Sequence, residues 1–208
     1  TVNGLPSSYN GNSGLDNFYT VNQGGSWKRI VNAAFNNTIQ PDILIPRAGR
    51  TKHAIYYNPH QTDVVVSTNF AYLAGLKAPT NTHSSPDQIK FISAFLLSSF
   101  GQLQIELQSN DQEGMRKLEV FQIERIRVPN TSLLSANEIS DVNLEFDNLT
   151  NAGDTFVGTE GLAGPRRALD LKIAEVLFGR DNLGFASVAA YVDYFENMLF
   201  DIVRERRN

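Results

Sequence analysis

Two stretches of sequence decide the fold: DILIPRAGR at 42–50 and QIKFISAFLLSSFGQLQIELQSNDQEGMRKLEVFQIERIRVP at 88–129. In the first stretch, the apolar run from Ile43 to Ile45 ends at Pro46, which is typical of a short buried strand. In the second stretch, apolar residues recur every three or four positions from Ile89 to Leu96, which is the period of a helix. Together they predict a strand with a helix packed against it.

More strands are expected close to the first one. The runs at 54–57 and 64–66 are β-branched or aromatic and have the length of strands. Three such runs between residues 43 and 66 predict a small, curled sheet that is mainly antiparallel.

Helix-start signals follow the strand region. Ser85, Pro86 and Gln88 have the order of an N-cap, a first-turn proline and a capping-box partner. Gly101 is expected to bend or interrupt this helix. A second capping box, Ser135 with Glu138, predicts another, short helix.

Two helices are expected in the C-terminal part of the chain. Pro165 is predicted to start one of them and Gly179 to end it. The other carries an apolar stripe from Val188 to Val203. We therefore predict an α/β (α+β) fold, in which helices pack on a small mixed or antiparallel sheet. The expected division is a domain at 1–150, a Gly-rich linker at 151–165 and a helical extension at 166–208.

Composition excludes several classes of protein. The chain has 208 residues, 41% of them hydrophobic and 19% charged, so it can bury a substantial core. It has no cysteine, which excludes disulfides and thiolate metal sites. No apolar run reaches the roughly 18–20 residues that span a bilayer. We expect a soluble, cytoplasmic protein without a membrane partner, and the start at Thr1 is consistent with a piece of a longer chain.

Charge is distributed unevenly along the sequence. Residues 1–130 contain 11 Lys and Arg against 9 Asp and Glu, whereas residues 131–208 contain 7 against 13. Arg47, Arg50 and Lys52 lie in a stretch without any acidic residue, although the net charge of the chain is −4. A local basic patch of this kind is what binding to phosphates requires.

Motifs for catalysis are largely missing. A flipped adenine needs an acidic or amide residue, two prolines and an aromatic residue, and the nearest string, at 58–60, lacks the second proline and the aromatic. The Gly-rich segment at 161–164 follows loop sequence rather than a strand, so it is interpreted as linker. Asp170 and Lys172 have the acid-x-Lys spacing of metal-dependent nucleases, which leaves a nuclease as an alternative. The acidic helical tail leaves a protein-docking module as another.

The order and spacing of the motifs resemble a known family, the C-terminal target-recognition region of prokaryotic restriction–modification DNA adenine methyltransferases. Similar domains occur in specificity subunits. The residues that carry the resemblance are Asp42, Leu44, Ile45 and Arg47, then Ser98, Ser99 and Gly101, and finally Leu118, Ile123, Ile126, Val128 and Pro129. It implies a small polar loop at 109–117 and a closing strand at 118–129. The segment 166–179 and the last helix resemble the helical tail that follows this region.

The resemblance also implies a function, which is recognition of double-stranded DNA without catalysis by this chain. S-adenosylmethionine and the methyltransferase catalytic domain are expected in the rest of a parent enzyme, and no cofactor or metal is expected here. The candidate DNA-contacting residues are Arg47, Arg50, Lys52, Arg116 and Lys117. Asp42 is expected to anchor the turn at its strand. The apolar residues of both stretches, Phe121 and Val128 included, are expected to pack in the core.

Overall fold

The computed structural model describes residues 39–49, 54–60, 64, 69–76, 83–112, 114–152, 164–179 and 184–207. The strands are β1 (Ile43–Pro46), β2 (Ala48–Gly49), β3 (Tyr56–Tyr57), β4 (Phe70–Leu73), β5 (Asn110–Gln112) and β6 (Met115–Lys117). The helices are α1 (Pro86–Leu97), α2 (Ser99–Gln108), α3 (Val120–Ile123), α4 (Ala136–Ala152), α5 (Pro165–Phe178) and α6 (Val188–Arg207). Most of the predicted strand 64–66 and most of the predicted linker lie outside the described residues.

The strands form two small antiparallel sheets. One has the order β3-β1-β4 and the other β2-β6-β5. The α/β prediction is confirmed, but the strands divide between two sheets instead of forming one. β1 is central in its sheet, and its Ile43 and Ile45 are almost completely buried. Asp42 anchors the strand as expected, because its Oδ2 accepts a hydrogen bond from the Leu76 N–H at 3.0 Å.

Both predicted capping boxes form. The Gln88 N–H donates to Ser85 Oγ, and the Gln88 side chain accepts from the Ser85 N–H. The second box starts α4, where the Glu138 carboxylate accepts from the Ser135 N–H at 2.8 Å. α4 is longer than predicted and reaches Ala152, because buried residues such as Leu149 continue its apolar face.

The break between α1 and α2 lies at Ser98, three residues before the position predicted from Gly101. Ser98 has extended backbone geometry, and its side chain caps α2 through the Gly101 N–H. The glycine is needed because the two helices approach closely here. A Cβ atom at Gly101 would lie 2.3 Å from the carbonyl oxygen of Phe95 and 2.6 Å from the Cα of Leu96.

Two side chains from α5 hold this helix break. Arg166 donates to the carbonyl oxygen of Leu97 at 2.7 Å, and so satisfies the end of α1. Asp170 accepts from the N–H of Ser99 at 2.8 Å and from its hydroxyl at 2.5 Å, and so satisfies the start of α2. The Arg166 and Asp170 side chains are both completely buried. The break is therefore fixed by a tertiary contact as well as by its local cap.

The expected closing strand at 118–129 is wrong. Glu119 begins a one-turn helix, α3, in which the Gln122 side chain accepts from the Glu119 N–H at 2.7 Å. Residues 126–130 follow without strand pairing. The local capping box competes with strand formation here, since it offers the backbone donors another partner. Phe121 and Val128 were expected in the core but are 54% and 41% exposed.

One hydrophobic core joins most of the described elements. Its buried members include Ile43 of β1, Phe91 of α1, Val142 of α4, Ile173 of α5 and Val192 of α6. An aromatic cluster extends it, and this consists of Phe100, Phe178, Phe185, Tyr191, Tyr194 and Phe195. The division at 150 and 165 stays a prediction, but described side chains on both sides of it share this core. Across the described ranges, no helix is both long and apolar enough to cross a membrane.

We predict that the buried Asp170 makes stability depend on pH. Burial raises the pKa of Asp170 to about 6, an effect that the hydrogen bonds from Ser99 oppose. The folded protein therefore binds this proton more tightly than the unfolded chain does. The free energy of unfolding should fall as pH rises from about 4 to about 6, by a contribution on the order of 3 kcal/mol.

Asp170→Asn should remove this contribution, because an amide does not titrate. Urea unfolding of both proteins at several pH values measures the difference. Relative to the variant, the wild-type protein should lose stability over that pH range. Parallel curves for the two proteins would contradict the assignment. A second carboxyl group, that of Glu196, has a pKa raised to about 7 by burial and by the nearby Asp170. The same measurement on Glu196→Gln distinguishes its contribution from that of Asp170.

Candidate nucleic-acid interface

The segment predicted as a polar loop, 109–117, is instead a β-hairpin. Gln112 pairs with Met115, so only two residues connect β5 to β6. Gly114 in this turn has a φ of 71°, a conformation that glycine adopts without strain. A two-residue connection with glycine is typical of tight hairpins. The segment is therefore a hydrogen-bonded hairpin rather than an irregular loop.

The two faces of the hairpin differ in chemistry. Residues directly opposite each other share a face, so Asn110 and Lys117 lie on one side with Gln112. Asn110 and Gln112 are exposed, and the Lys117 side chain is 45% exposed. This outer face therefore presents two carboxamides, an ammonium group and the half-buried Met115 side chain. β2 extends it, because Ala48 pairs with Lys117 and is exposed.

The other face carries Asp111, which is exposed, and the inward-facing Arg116, which is only 2% exposed. Its Nη1 donates to the Gln102 side chain at 3.2 Å and lies 3.6 Å from the Glu106 carboxylate. Burial lowers the pKa of the Arg116 guanidinium, and the Glu106 charge acts in the opposite direction. Arg116 was a candidate for contacting DNA, but the structure turns its side chain into the interior. It is therefore not part of the exposed surface.

Glu106 binds a second arginine from the other end of the chain. Arg206, in the last turn of α6, pairs with the same carboxylate and is itself almost buried. The backbone of α6 also comes close to the hairpin turn, since a Cβ at Gly114 would lie 3.3 Å from the Arg206 carbonyl oxygen. α2 and α6 together thus support the hairpin from below.

Arg47 links the first sheet to the second. Its N–H donates to the Asn69 carbonyl oxygen at 2.8 Å, and its own carbonyl oxygen accepts from the Leu118 N–H at 2.7 Å. The guanidinium donates to the Leu118 carbonyl oxygen and pairs with Glu119. Lys117 approaches the same carboxylate at 3.6 Å. Glu119 therefore joins two of the predicted contact residues on one side of the hairpin sheet.

Two other predicted contact residues, Arg50 and Lys52, lie outside the described residues. They follow β2 directly in sequence, and β2 ends beside Arg116 of the hairpin. The residues that sequence reasoning missed are Asn110 and Gln112. The sequence offered little signal for them, because residues 109–113 are uniformly polar and only Gly114 indicates a turn.

The residues suggested for a nuclease do not form a catalytic pair. The Asp170 carboxylate is completely buried with both oxygens bound to Ser99, as described above. Lys172 instead binds Glu175 on the surface at 2.6 Å. Within the ranges that the structure covers, no group of three His, Asp or Glu residues could hold a metal ion.

Comparison with known proteins identifies the family. The sequence matches the specificity domain of restriction endonuclease BpuSI over residues 12–153. The crystal structure of the type IIG restriction endonuclease BpuSI is similar, with a TM-score of 0.67 and 25% sequence identity. That similarity covers 86% of this chain but 18% of the BpuSI chain, so the present chain spans a small part of such an enzyme. None of the curated proteins matches. The chain therefore belongs to the family of BpuSI specificity domains.

Proposed function

We propose that this chain recognises a DNA target sequence for a larger restriction–modification enzyme and does so with the outer face of its hairpin. The observation that carries the proposal is the exposed row formed by Asn110, Gln112 and Lys117 on a hydrogen-bonded hairpin. Membership in the specificity-domain family supports it independently.

A β-hairpin with these exposed side chains suits the major groove of DNA. That groove admits a two-stranded β-ribbon, and base edges are read there by hydrogen bonds. Asn and Gln can bind the N6 and N7 positions of adenine through both ends of their carboxamides, while Lys can bind guanine or phosphate. We therefore assign base reading to Gln112 and Asn110, and phosphate or guanine binding to Lys117. Each good bidentate contact discriminates by about 1–3 kcal/mol.

Arg47 has a supporting role in this proposal. Its side chain is 25% exposed, and its guanidinium is held by Glu119 and the Leu118 carbonyl oxygen. It fixes the start of the basic segment that contains Arg50 and Lys52, for which we keep the proposal of phosphate binding. Phosphate contacts position a protein on DNA, whereas base contacts provide the sequence preference.

Catalysis is assigned to other parts of the enzyme. We propose that the parent carries an adenine-specific methyltransferase domain that uses S-adenosylmethionine and that it acts in the cytoplasm. The buried position of Asp170 speaks against the alternative of a nuclease built around that residue. Protein docking by the C-terminal helices is compatible with DNA recognition, since α5 and α6 bury one face and expose the other.

We predict that Lys117→Glu weakens DNA binding through the hairpin face. The variant replaces a positive charge by a negative one at a partly exposed position, so the fold should be retained. Fluorescence anisotropy with a 30-base-pair duplex of random sequence measures the affinity at several salt concentrations. Loss of one phosphate contact should lower the log–log salt slope by about 0.9. Lys172→Glu makes the same charge change on α5 and is the matched control. Equal binding curves for the two variants would contradict the proposal.

We also predict that this chain does not bind S-adenosylmethionine. Neither a Gly-rich strand–loop–helix nor the adenine-flipping motif occurs in its sequence. Isothermal titration calorimetry of the chain with the cofactor should show no saturable heat. Binding of the cofactor with micromolar affinity would contradict the prediction and show that this chain contributes to the catalytic site.

A further inference from the structure

A second surface of unusual composition lies beside the hairpin. α3 exposes Val120 and Phe121, which are 55% and 54% accessible. Val128, which follows α3, is 41% exposed, and Leu107 on α2 is 60% exposed. A large aromatic side chain with half of its surface in water gains little from folding, so its exposure points to a binding role.

Two arginines accompany the exposed aromatic ring. The Arg125 guanidinium lies over Phe121, with its central carbon 5.5 Å from the ring centroid. Arg125 and Arg127 are both exposed, and no carboxylate in the part of the chain that the structure describes pairs with either of them. Other arginines are paired with acids: Arg47, Arg116, Arg167, Arg204 and Arg206. The turn therefore offers two guanidiniums that are available to an external anion.

The backbone of this turn is held in place. Gln104 of α2 donates from Nε2 to the Arg127 carbonyl oxygen at 3.1 Å, and its Oε1 accepts from the Arg127 N–H at 3.0 Å. Such a pair of hydrogen bonds fixes both the position and the orientation of the peptide. Ile123 is buried beneath the exposed face and anchors α3 to the core. The exposed groups are thus presented from a rigid base, which reduces the entropic cost of binding.

This turn is continuous with the hairpin face. The Gln122 side chain donates to the Asn110 side chain at 3.2 Å, which connects α3 directly to β5. Glu119, the N-cap of α3, contacts Lys117 on the neighbouring strand. The turn therefore contacts the hairpin through residues of both of its strands.

We propose that the turn of Val120, Phe121, Arg125 and Arg127 is a second DNA-contacting element. Arg125 and Arg127 bind backbone phosphates, and Phe121 packs against a base step as an apolar contact. Phosphate requires fixed positive charge, which the two arginines supply. Apolar side chains that reach the bases stack on them or partly unstack them, and such contacts contribute to specificity through the deformability of DNA. This inference rests on the proposed function. It adds a second DNA-contacting surface to the hairpin face that carries Asn110 and Gln112.

The phosphate arm of the proposal is tested by Arg125→Gln with Arg127→Gln in the full chain. Anisotropy with the random 30-base-pair duplex should show weaker binding, and the log–log salt slope should fall by about 1.8, or 0.9 for each lost phosphate contact. The matched control is Lys90→Gln with Lys172→Gln. It removes two positive charges from α1 and α5, outside the turn and the hairpin, and should leave the slope unchanged. Thermal unfolding checks that each variant is folded.

The aromatic arm uses Phe121→Ala and Phe121→Trp. Loss of the ring should weaken binding by about tenfold, within the range measured for aromatic contacts with bases. The tryptophan variant should restore binding, and its fluorescence should be quenched by the duplex. The wild-type protein, in which Trp27 is the only tryptophan, gives the background signal. Unchanged affinity of Phe121→Ala, together with no quenching of the Phe121→Trp variant beyond that background, would overturn the aromatic contact.

The Lys117→Glu variant separates this inference from the proposed function. If Lys117→Glu weakens binding and the double arginine variant does not, the hairpin recognises DNA and the second element is wrong. Such a result would leave the exposed ring and arginines as a surface for another protein segment. If neither variant changes binding, or if the wild-type chain does not bind the duplex, both proposals are overturned.

Discussion

The position of the hairpin depends on one buried carboxylate, that of Glu106. This side chain is 1% exposed and pairs with Arg116 of the hairpin and Arg206 of the last helix. Removing one partner of a buried charge group costs about 3–5 kcal/mol, because the remaining charge is left without compensation. The carboxylate therefore couples two segments that are far apart in sequence. It directs Arg116 inward, and the alternation of the strand then directs Lys117 outward.

This coupling makes the C-terminal helices part of the recognition unit. The family similarity in sequence ends at residue 153, whereas the similarity in structure covers 86% of the chain. α5 holds the α1–α2 break through Arg166 and Asp170, and α6 supports the hairpin through Arg206. The acidic C-terminal third thus contributes rigidity to a surface in the more basic part. A negative net charge of the whole chain is compatible with DNA recognition because 13 of its 22 Asp and Glu residues lie in this C-terminal third.

Sequence patterns predicted the features that depend on neighbouring residues. The strand at Ile43–Pro46, the capping boxes at Ser85 and Ser135, and the helix between Pro165 and Gly179 all follow from local chemistry. The family resemblance also correctly placed the chain among target-recognition domains. These signals persist in the folded protein because tertiary contacts reinforce them.

Features that depend on distant partners were not predicted. Burial of Arg116 depends on Glu106 and Gln102 of α2, and no local pattern distinguishes it from its exposed neighbour Lys117. The exposure of Phe121 was missed because its apolar character alone indicates the core. The break at Ser98 instead of Gly101 reflects the contacts from α5. For Arg116 and Ser98 the decisive contact comes from another element of the structure, whereas Phe121 is exposed on a helix that the local capping box at Glu119 forms in place of the expected strand.

The central claim is that DNA lies on the outer face of the hairpin, and photo-crosslinking tests it most directly. A benzophenone amino acid at Gln112 places the reactive group on that face, and one at Leu144 places it on α4, which packs on α1 and α5. Both positions are exposed, so both variants should fold. We predict crosslinks to a bound DNA duplex from position 112 and none from position 144. Crosslinks from position 144 without any from position 112 would contradict the account.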